Sequence, residues 1–474
     1  MAAVRVAAHQ LDPVGPSSTA EERRSARDSS RLLSLPRLRQ TYSGRIRDLN
    51  LIPVLADETC MAVPTPRLTS ASRVEPPLSP LLAGASRDSA TIIGQLREQD
   101  PVHWIPGIDA WFVSRHEDVR MLFSDPRVTA DPRRFERYVA PTQPGAARWM
   151  AEPPFIAAKP GAPSPERQLV SPALTARGIS RLENPIRNVI EQFAAPLRKR
   201  TGVVDLVSEF TDRVPGTIIG RLLGVPPKSE DEARFHKLSR NMVRLVNPVL
   251  PEKKRLKTER ATAEICEYLL GLVRDRRSHP QNDLISSLLR LGDAQASSDE
   301  EIVRVASGLI SAGTETLTLA AARALRTLFL HPTEMARLRR DRSLLPSAVS
   351  ELLRYDMGLF GMPRYVLKDF ELRGRSLQQG QLVVLSFMGA HRDPRAFDEP
   401  DRLDLCRETK NLIVFGHGLH HCIGSNLARM ELRLMLDAAL DFLPKEARLL
   451  EEQIDWGGLG ILSRIKSLPV DFGQ

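Results

Sequence analysis

Aromatic side chains are scarce, 5% of 474 residues, and only four residues are cysteine. A core short of Phe, Tyr and Trp must be filled by Leu, Val, Ala and Ile. The cysteines Cys60, Cys266, Cys406 and Cys422 lie far apart with no CxxC pair, which excludes a disulfide framework and a Cys-rich zinc module. No run approaches the roughly 18 apolar residues that span a bilayer, and the start lacks the charged-then-apolar pattern of a signal peptide. The expectation is a cytoplasmic protein with no membrane span. Long basic runs with interleaved aromatics are missing too. The net charge of +9 is scattered in twos and threes, as at Arg133-Arg134 and Lys253-Lys254-Arg255. That pattern carries no nucleic-acid signature and suits a docking face for an acidic protein.

What is present is an ordinary globular composition, 42% hydrophobic and 26% charged. Residues 1–75 stand apart: rich in Arg, Ser, Pro and Ala, poor in apolar periodicity, they read as a disordered extension or an overlong gene start ahead of Met61. From about 92 the punctuation is regular. VHWI and AWFV flank Pro106-Gly107 as a β-hairpin, HEDVRMLFSD reads as a short helix, and residues 130–165 read as a long loop. Helical patterns fill 166–355, DFELRG and QLVVLSF read as strands, and a helix over 424–441 precedes a short β region near Trp456 to Leu462. The fold class is mainly α with a small β part, in one domain over 76–474.

Two segments carry chemistry. In FGHGLHHCIG, 415–424, Gly416, Gly418 and Gly424 permit positive φ and close approach to a flat ligand, and Cys422 stands at a helix entrance whose dipole favours a thiolate. A lone cysteine is more often a small buried hydrophobe, the reading given to Cys60, Cys266 and Cys406. Zinc on His417, His420, His421 and Cys422 matches no common finger spacing. In the second segment, 298–332, Ser298 and Glu301 form a capping box, and apolar residues recur at helical spacing until His331-Pro332, giving a helix of about 50 Å. At its middle Gly313, Glu315 and Thr316 replace the Leu or Ala that packing prefers. A threonine hydroxyl bonding back to a carbonyl one turn earlier is the plain alternative.

The first segment resembles the haem-binding loop of the cytochromes P450, F-G-x-G-x-H-x-C-x-G, with Phe415, Gly416, Gly418, His420, Cys422 and Gly424 filling every fixed position. The second is similar to that family's central helix, whose acid-alcohol pair beside a kink delivers protons to dioxygen; the matching residues are Glu315 and Thr316. ELLR at 351–354, a weak i, i+3 pair by itself, matches the family's E-x-x-R, which gives Glu351 and Arg354 a structural role.

The resemblance implies the triangular, mainly α cytochrome P450 fold around haem b, with Cys422 as axial iron ligand and Arg167, Arg364 and His420 meeting the propionates. Three positions depart from the pattern: Pro163 and Leu412 stand where the family has a propionate-binding His, and His391 where it has Asn. The implied activity is a monooxygenase that hydroxylates or epoxidises a lipophilic terpenoid, steroid, fatty acid or polyketide. Its electrons would come from a ferredoxin or flavodoxin with an NAD(P)H-dependent reductase, docked near Arg429 and Arg433. A peroxide-driven or non-oxygenating enzyme and a haem-binding sensor without turnover are the alternatives.

Overall fold

The computed structural model describes residues 89–151, 155, 164–227, 229–242, 250–293, 297–459 and 462–474. All of them belong to the compact unit Arg73–Gln474. The expected N-terminal extension, Cys60 and Pro163 lie outside the described residues.

The chain opens with α1 (Ser89–Gln99), β1 (Val102–Ile105), β2 (Ala110–Val113), α2 (His116–Leu122) and β3 (Val128–Thr129). Short helices α3 (Pro144–Met150), α4 (Pro165–Val170) and α5 (Ala176–Ser180) follow, then α6 (Glu183–Leu197), β4 (Val203–Asp205), α7 (Val214–Leu222), α8 (Glu230–Met242), α9 (Glu252–Ser278) and α10 (Leu284–Asp293). The centre is α11 (Asp299–Gly313) and α12 (Glu315–Leu330), succeeded by α13 (Pro332–Arg340) and α14 (Leu345–Tyr355). A β-rich stretch gives β5 (Gly361–Val366), β6 (Phe370–Leu372), β7 (Arg375–Leu377), β8 (Leu382–Ser386) and the short α15 (Phe387–His391). The chain closes with α16 (Ser425–Phe442), β9 (Arg448–Leu449), β10 (Asp455–Leu459), β11 (Leu462–Ser467) and β12 (Pro469–Asp471).

The expected hairpin is present: Val102 pairs with Val113 and Trp104 with Trp111, whose rings meet edge to face at 5.1 Å. It feeds a five-stranded sheet ordered β1-β2-β8-β5-β3, in which β2 and β8 run parallel. The sheet packs on one apolar cluster, including Phe112, Tyr365, Val383 and Phe387. A larger helical cluster, including Phe210, Ile265, Leu325 and Leu432, forms the rest of the core. Among the described residues no helix is long and apolar enough to cross a membrane.

Two expectations change. The 130–165 stretch is not all loop, because α3 docks there on α9, burying Trp149. The central segment is not one helix of about 50 Å. Its capping box is as read, with Glu301 N–H donating to Ser298 Oγ at 3.2 Å and Ser298 N–H to Glu301 Oε2 at 2.7 Å. The helix breaks at Thr314, however, where φ is −82° and ψ −65°. Hydroxyls on Thr314, Thr316 and Thr318 donate to the carbonyls of Ile310, Ala312 and Thr314 at 2.9, 2.6 and 3.1 Å. Three such back-bonds within one turn compete with the backbone ladder and bend it. Gly313 admits Ile219 of α7, whose Cδ1 would lie 3.0 Å from a Cβ at that position.

Candidate active site

The segment 413–425 folds into a tight loop ending at α16. Gly416 N–H donates to Ile413 O at 2.8 Å and Cys422 N–H to Phe415 O at 2.6 Å. Gly416 and Gly418 have φ of 74° and 69°, and a Cβ on Gly418 would sit 2.5 Å from Ser124 Oγ, so these two glycines do what the sequence argument asked. Gly424 does not: its φ is −88°. A Cβ there would point into open space, leaving room beside the sulfur for a flat group. Two histidines anchor the loop. His391, 1% exposed, accepts from Ile413 N–H at 3.1 Å, and His116 bonds Asn411 O at 2.8 Å. Burial draws the His391 imidazole well below its usual range, so it stays a neutral acceptor.

Cys422 opens onto a cavity of about 1670 Å³. A drug-sized ligand site occupies roughly 300–1,000 Å³, so this cavity has room for a large cofactor and a substrate together. Leu309, Ala312, Gly313 and Thr316 of the broken central helix line it, with Leu359 and Met362 from the 358–363 segment and Met242 and Leu250 from the 235–252 region. Ile186 and Val189 of α6 and Ile218 and Ile219 of α7 complete the lining. Burial pushes the Cys422 thiol up, against the opposing pull of Gly424 N–H and Arg167. A metal ion bound at the sulfur would favour the thiolate.

One corner of the cavity is cationic. Arg364 is 3% exposed, lies 4.8 Å over the Phe123 ring and donates to Pro363 O at 2.9 Å; among the described residues no carboxylate pairs with it. Burial draws its guanidinium down to about 10. Arg167 donates to His421 O at 2.6 Å. His420 is pulled to about 4 by burial and by the charges of Arg364 and Arg167. A buried cation without an anion is costly, so the corner suits a ligand carrying carboxylates. A His in place of Leu412 would have added a donor, but Leu412 packs into the helical core.

Thr316 lines the cavity and Glu315 does not. The Glu315 carboxylate, 6% exposed, receives Arg464 of β11 on both oxygens at 3.2 Å, and Arg464 also reaches Asp212 at 2.8 Å.

Glu351 and Arg354 are no solvated pair. Both side chains are fully buried. Arg354 grips the carboxylate through two bonds of 2.7 and 2.8 Å and donates to the carbonyls of His391 and Pro400, each at 2.8 Å. Arg429 and Arg433 form no free docking face: Arg429 lies over the Phe415 ring and bonds Ser350, and Arg433 pairs with Glu183. Cys406 is exposed rather than core, with Arg337 donating to its sulfur, whereas Cys266 is buried as expected.

The cytochrome P450 family profile matches residues 147–442. The chain belongs to the cytochrome P450 family. It is 34% identical over 385 residues to the mycinamicin IV hydroxylase/epoxidase of Micromonospora griseorubida, covering 80% of this chain and 94% of that protein. It is 33% identical over 350 residues to the vitamin D(3) 25-hydroxylase of Pseudonocardia autotrophica, covering 72% and 83%. The cytochrome P450 PksS of the bacillaene polyketide synthase of Bacillus subtilis superposes with a TM-score of 0.73 at 27% identity, covering 82% of this chain and 99% of that one. This P450 is a haem-dependent monooxygenase. The cavity fits that group: one cysteine opens into it, glycines clear its edge, and an unpaired buried arginine waits for an acid.

For Arg364→Leu, haem affinity is expected to fall about 30-fold or more, the 2–5 kcal/mol typical of truncating one partner of a buried charge pair. Haem-free protein should melt higher than wild type, since the variant removes an unpaired buried charge. Haem transfer to a scavenger globin and thermal melts of the haem-free protein test the two signs separately.

Proposed function

We propose that this P450 holds haem b, takes electrons from a ferredoxin or flavodoxin served by an NAD(P)H-dependent reductase, and hydroxylates or epoxidises a lipophilic small molecule of terpenoid, steroid, fatty acid or polyketide class. The carrying observation is an apolar cavity wall that meets Thr316 on one side and Cys422 on another. Relatives named for mycinamicin and vitamin D(3) oxidation support the substrate class.

In this reading Cys422 binds the iron as its thiolate, and Arg364, Arg167 and His420 meet the carboxylates of the porphyrin. When bound, the haem supplies the reduction of dioxygen and the insertion of one oxygen atom into substrate. The protein's part is positional. Leu309, Ala312 and Ile219 exclude water from the substrate. The Thr316 hydroxyl, donating to Ala312 O across the bend, can rotate to hand its proton into the cavity. Glu315 joins that path only by letting go of Arg464.

Thr316→Ala is expected to keep oxygen consumption while lowering product formed per oxygen roughly 10- to 100-fold, with the difference appearing as hydrogen peroxide. Unchanged coupling would favour the peroxide-driven alternative. Turnover of a lipophilic panel with a surrogate ferredoxin separates an enzyme from a sensor.

A further inference from the structure

Two basic clusters stand out in the sequence, and the fold treats them differently. Arg133 of Arg133-Arg134 is paired with Asp131 at 2.7 Å. Lys253-Lys254-Arg255 instead sits in the first turn of α9, where the positive end of the helix dipole disfavours cations and Glu252 is the one acid. Arg255 is held by the buried Glu259. Lys253, Lys254, Lys257 and Arg260 are exposed, as is Lys237 of α8, and among the described residues none of the five meets a carboxylate. Lys253, Lys257 and Arg260 recur at i, i+4 and i+7, so they share one face of α9, where like charges repel. A helix start that breaks both electrostatic rules without a compensating acid points to a surface kept for a partner.

This face borders the cavity: Met242 of α8 and Leu250, Glu252 and Arg255 at the start of α9 belong to its lining, and Glu252 is exposed. It lies apart from the sulfur. The elements packed on α9 are α3, α8, α10 and α11, those on α16 after Cys422 are α5, α6, α12 and α14, and none is shared. That separation favours a partner that brings substrate over one that brings electrons. None of the exposed large apolar side chains among the described residues lies on α8 or α9, which favours a protein surface over a lipid one. From Lys253 to Arg260 the charges span about 10 Å of helix, more than one small anion covers, and the α9 cation that lines the cavity, Arg255, already has Glu259. The complement of such a stripe is an acidic protein.

We propose that α9, with Lys237 of α8, is the docking face for a small acidic carrier protein that presents the substrate as an acyl chain, thioester-linked to a flexible arm. The body of the carrier rests on Lys253, Lys254, Lys257 and Arg260, while the arm feeds the apolar chain past Leu250 and Met242 toward Thr316. The thioester neither forms nor breaks here, so docking adds no chemical step to the monooxygenase reaction. The substrate class rests on the lipophilic-substrate reading above; the charge match does not.

The test titrates the haem-loaded protein with dodecanoyl-loaded acyl carrier protein, with unloaded carrier and with free dodecanoate, in wild type and in the triple variant Lys253→Glu, Lys257→Glu, Arg260→Glu. Wild type should bind both carrier forms, the loaded one more tightly, with an affinity that falls as ionic strength rises. The variant should lose about 10-fold or more for both carriers while binding free dodecanoate as wild type does. Exchange of the same three residues to glutamine relieves the repulsion along α9, so this variant should fold, and it should show the same loss at smaller size. Wild type that binds loaded carrier no better than free dodecanoate overturns the proposal, and so does carrier affinity indifferent to the three charges in both variants. A loss confined to phosphatidylglycerol vesicles, or to the rate of reduction by ferredoxin, also overturns it, by assigning the face to a lipid surface or to the electron donor. Carrier docking through these charges without oxidation of the acyl chain would count against the monooxygenase reading of the cavity and leave the docking face in place.

Discussion

Replacing Cys422 with serine is expected to leave the fold intact and to cut monooxygenase turnover by on the order of 10³-fold, equivalent to roughly 4 kcal/mol of barrier. The fold survives because the loop is closed by backbone, Cys422 N–H to Phe415 O, and by the His391 and His116 anchors, none of which uses the sulfur. The chemistry does not survive because a serine hydroxyl stays protonated at neutral pH and cannot push electron density onto iron as a thiolate does. The reduced, CO-bound absorption spectrum reads the ligand directly: the long-wavelength Soret band should vanish in Cys422→Ser while haem remains bound. Cys266→Ala and Cys406→Ala serve as controls and should keep the band, since one thiol is buried in the helical core and the other faces solvent beside Arg337. Persistence of the band in Cys422→Ser would remove the basis for the thiolate assignment.

The features legible in the sequence were those set by neighbours along the chain. The Cys422 loop needs glycines at fixed offsets, the Ser298 capping box spans one turn, and the hairpin at Pro106-Gly107 is bounded by turn residues; each is written within about a dozen residues. What escaped depends on partners distant in sequence or on competition between nearly equal local choices. Nothing near Glu315 announces that Arg464, more than a hundred residues later, turns it away from the cavity. The ELLR pair looks like a solvated one because periodicity says which residues share a face, not which face is covered. The break at Thr314 follows from three threonine hydroxyls bonding back at once, a local cause with too small an energy to outvote the apolar pattern by inspection. Gly424 was misread because glycine's tolerance of positive φ is an option, and this position uses the missing Cβ instead.

The largest stability effect is expected at Glu351 and Arg354. Removing one partner of a fully buried ion pair leaves the other charge uncompensated, at about 3–5 kcal/mol. Here Glu351 also accepts from Asp404 N–H at 2.9 Å and from Arg407 at 3.1 Å, so Glu351→Ala strands two guanidinium groups and a backbone donor. Arg354→Lys should be nearly as damaging, because an ammonium cannot replace two parallel bonds to a carboxylate while also meeting the carbonyls of His391, Pro400 and Arg402. Replacing both residues with leucine should recover part of the loss, since it removes the stranded charges together with the pair. Urea unfolding of the haem-free protein, with an unchanged slope, gives the energies. The damage also has a direction. Arg354 holds the carbonyl of His391, and the His391 ring holds Ile413 at the root of the Cys422 loop, so the variants that still fold should bind haem with part of the long-wavelength CO band already lost. Destabilisation of 3 kcal/mol or more with a fully intact thiolate spectrum would mean that the pair supports the fold without positioning the ligand.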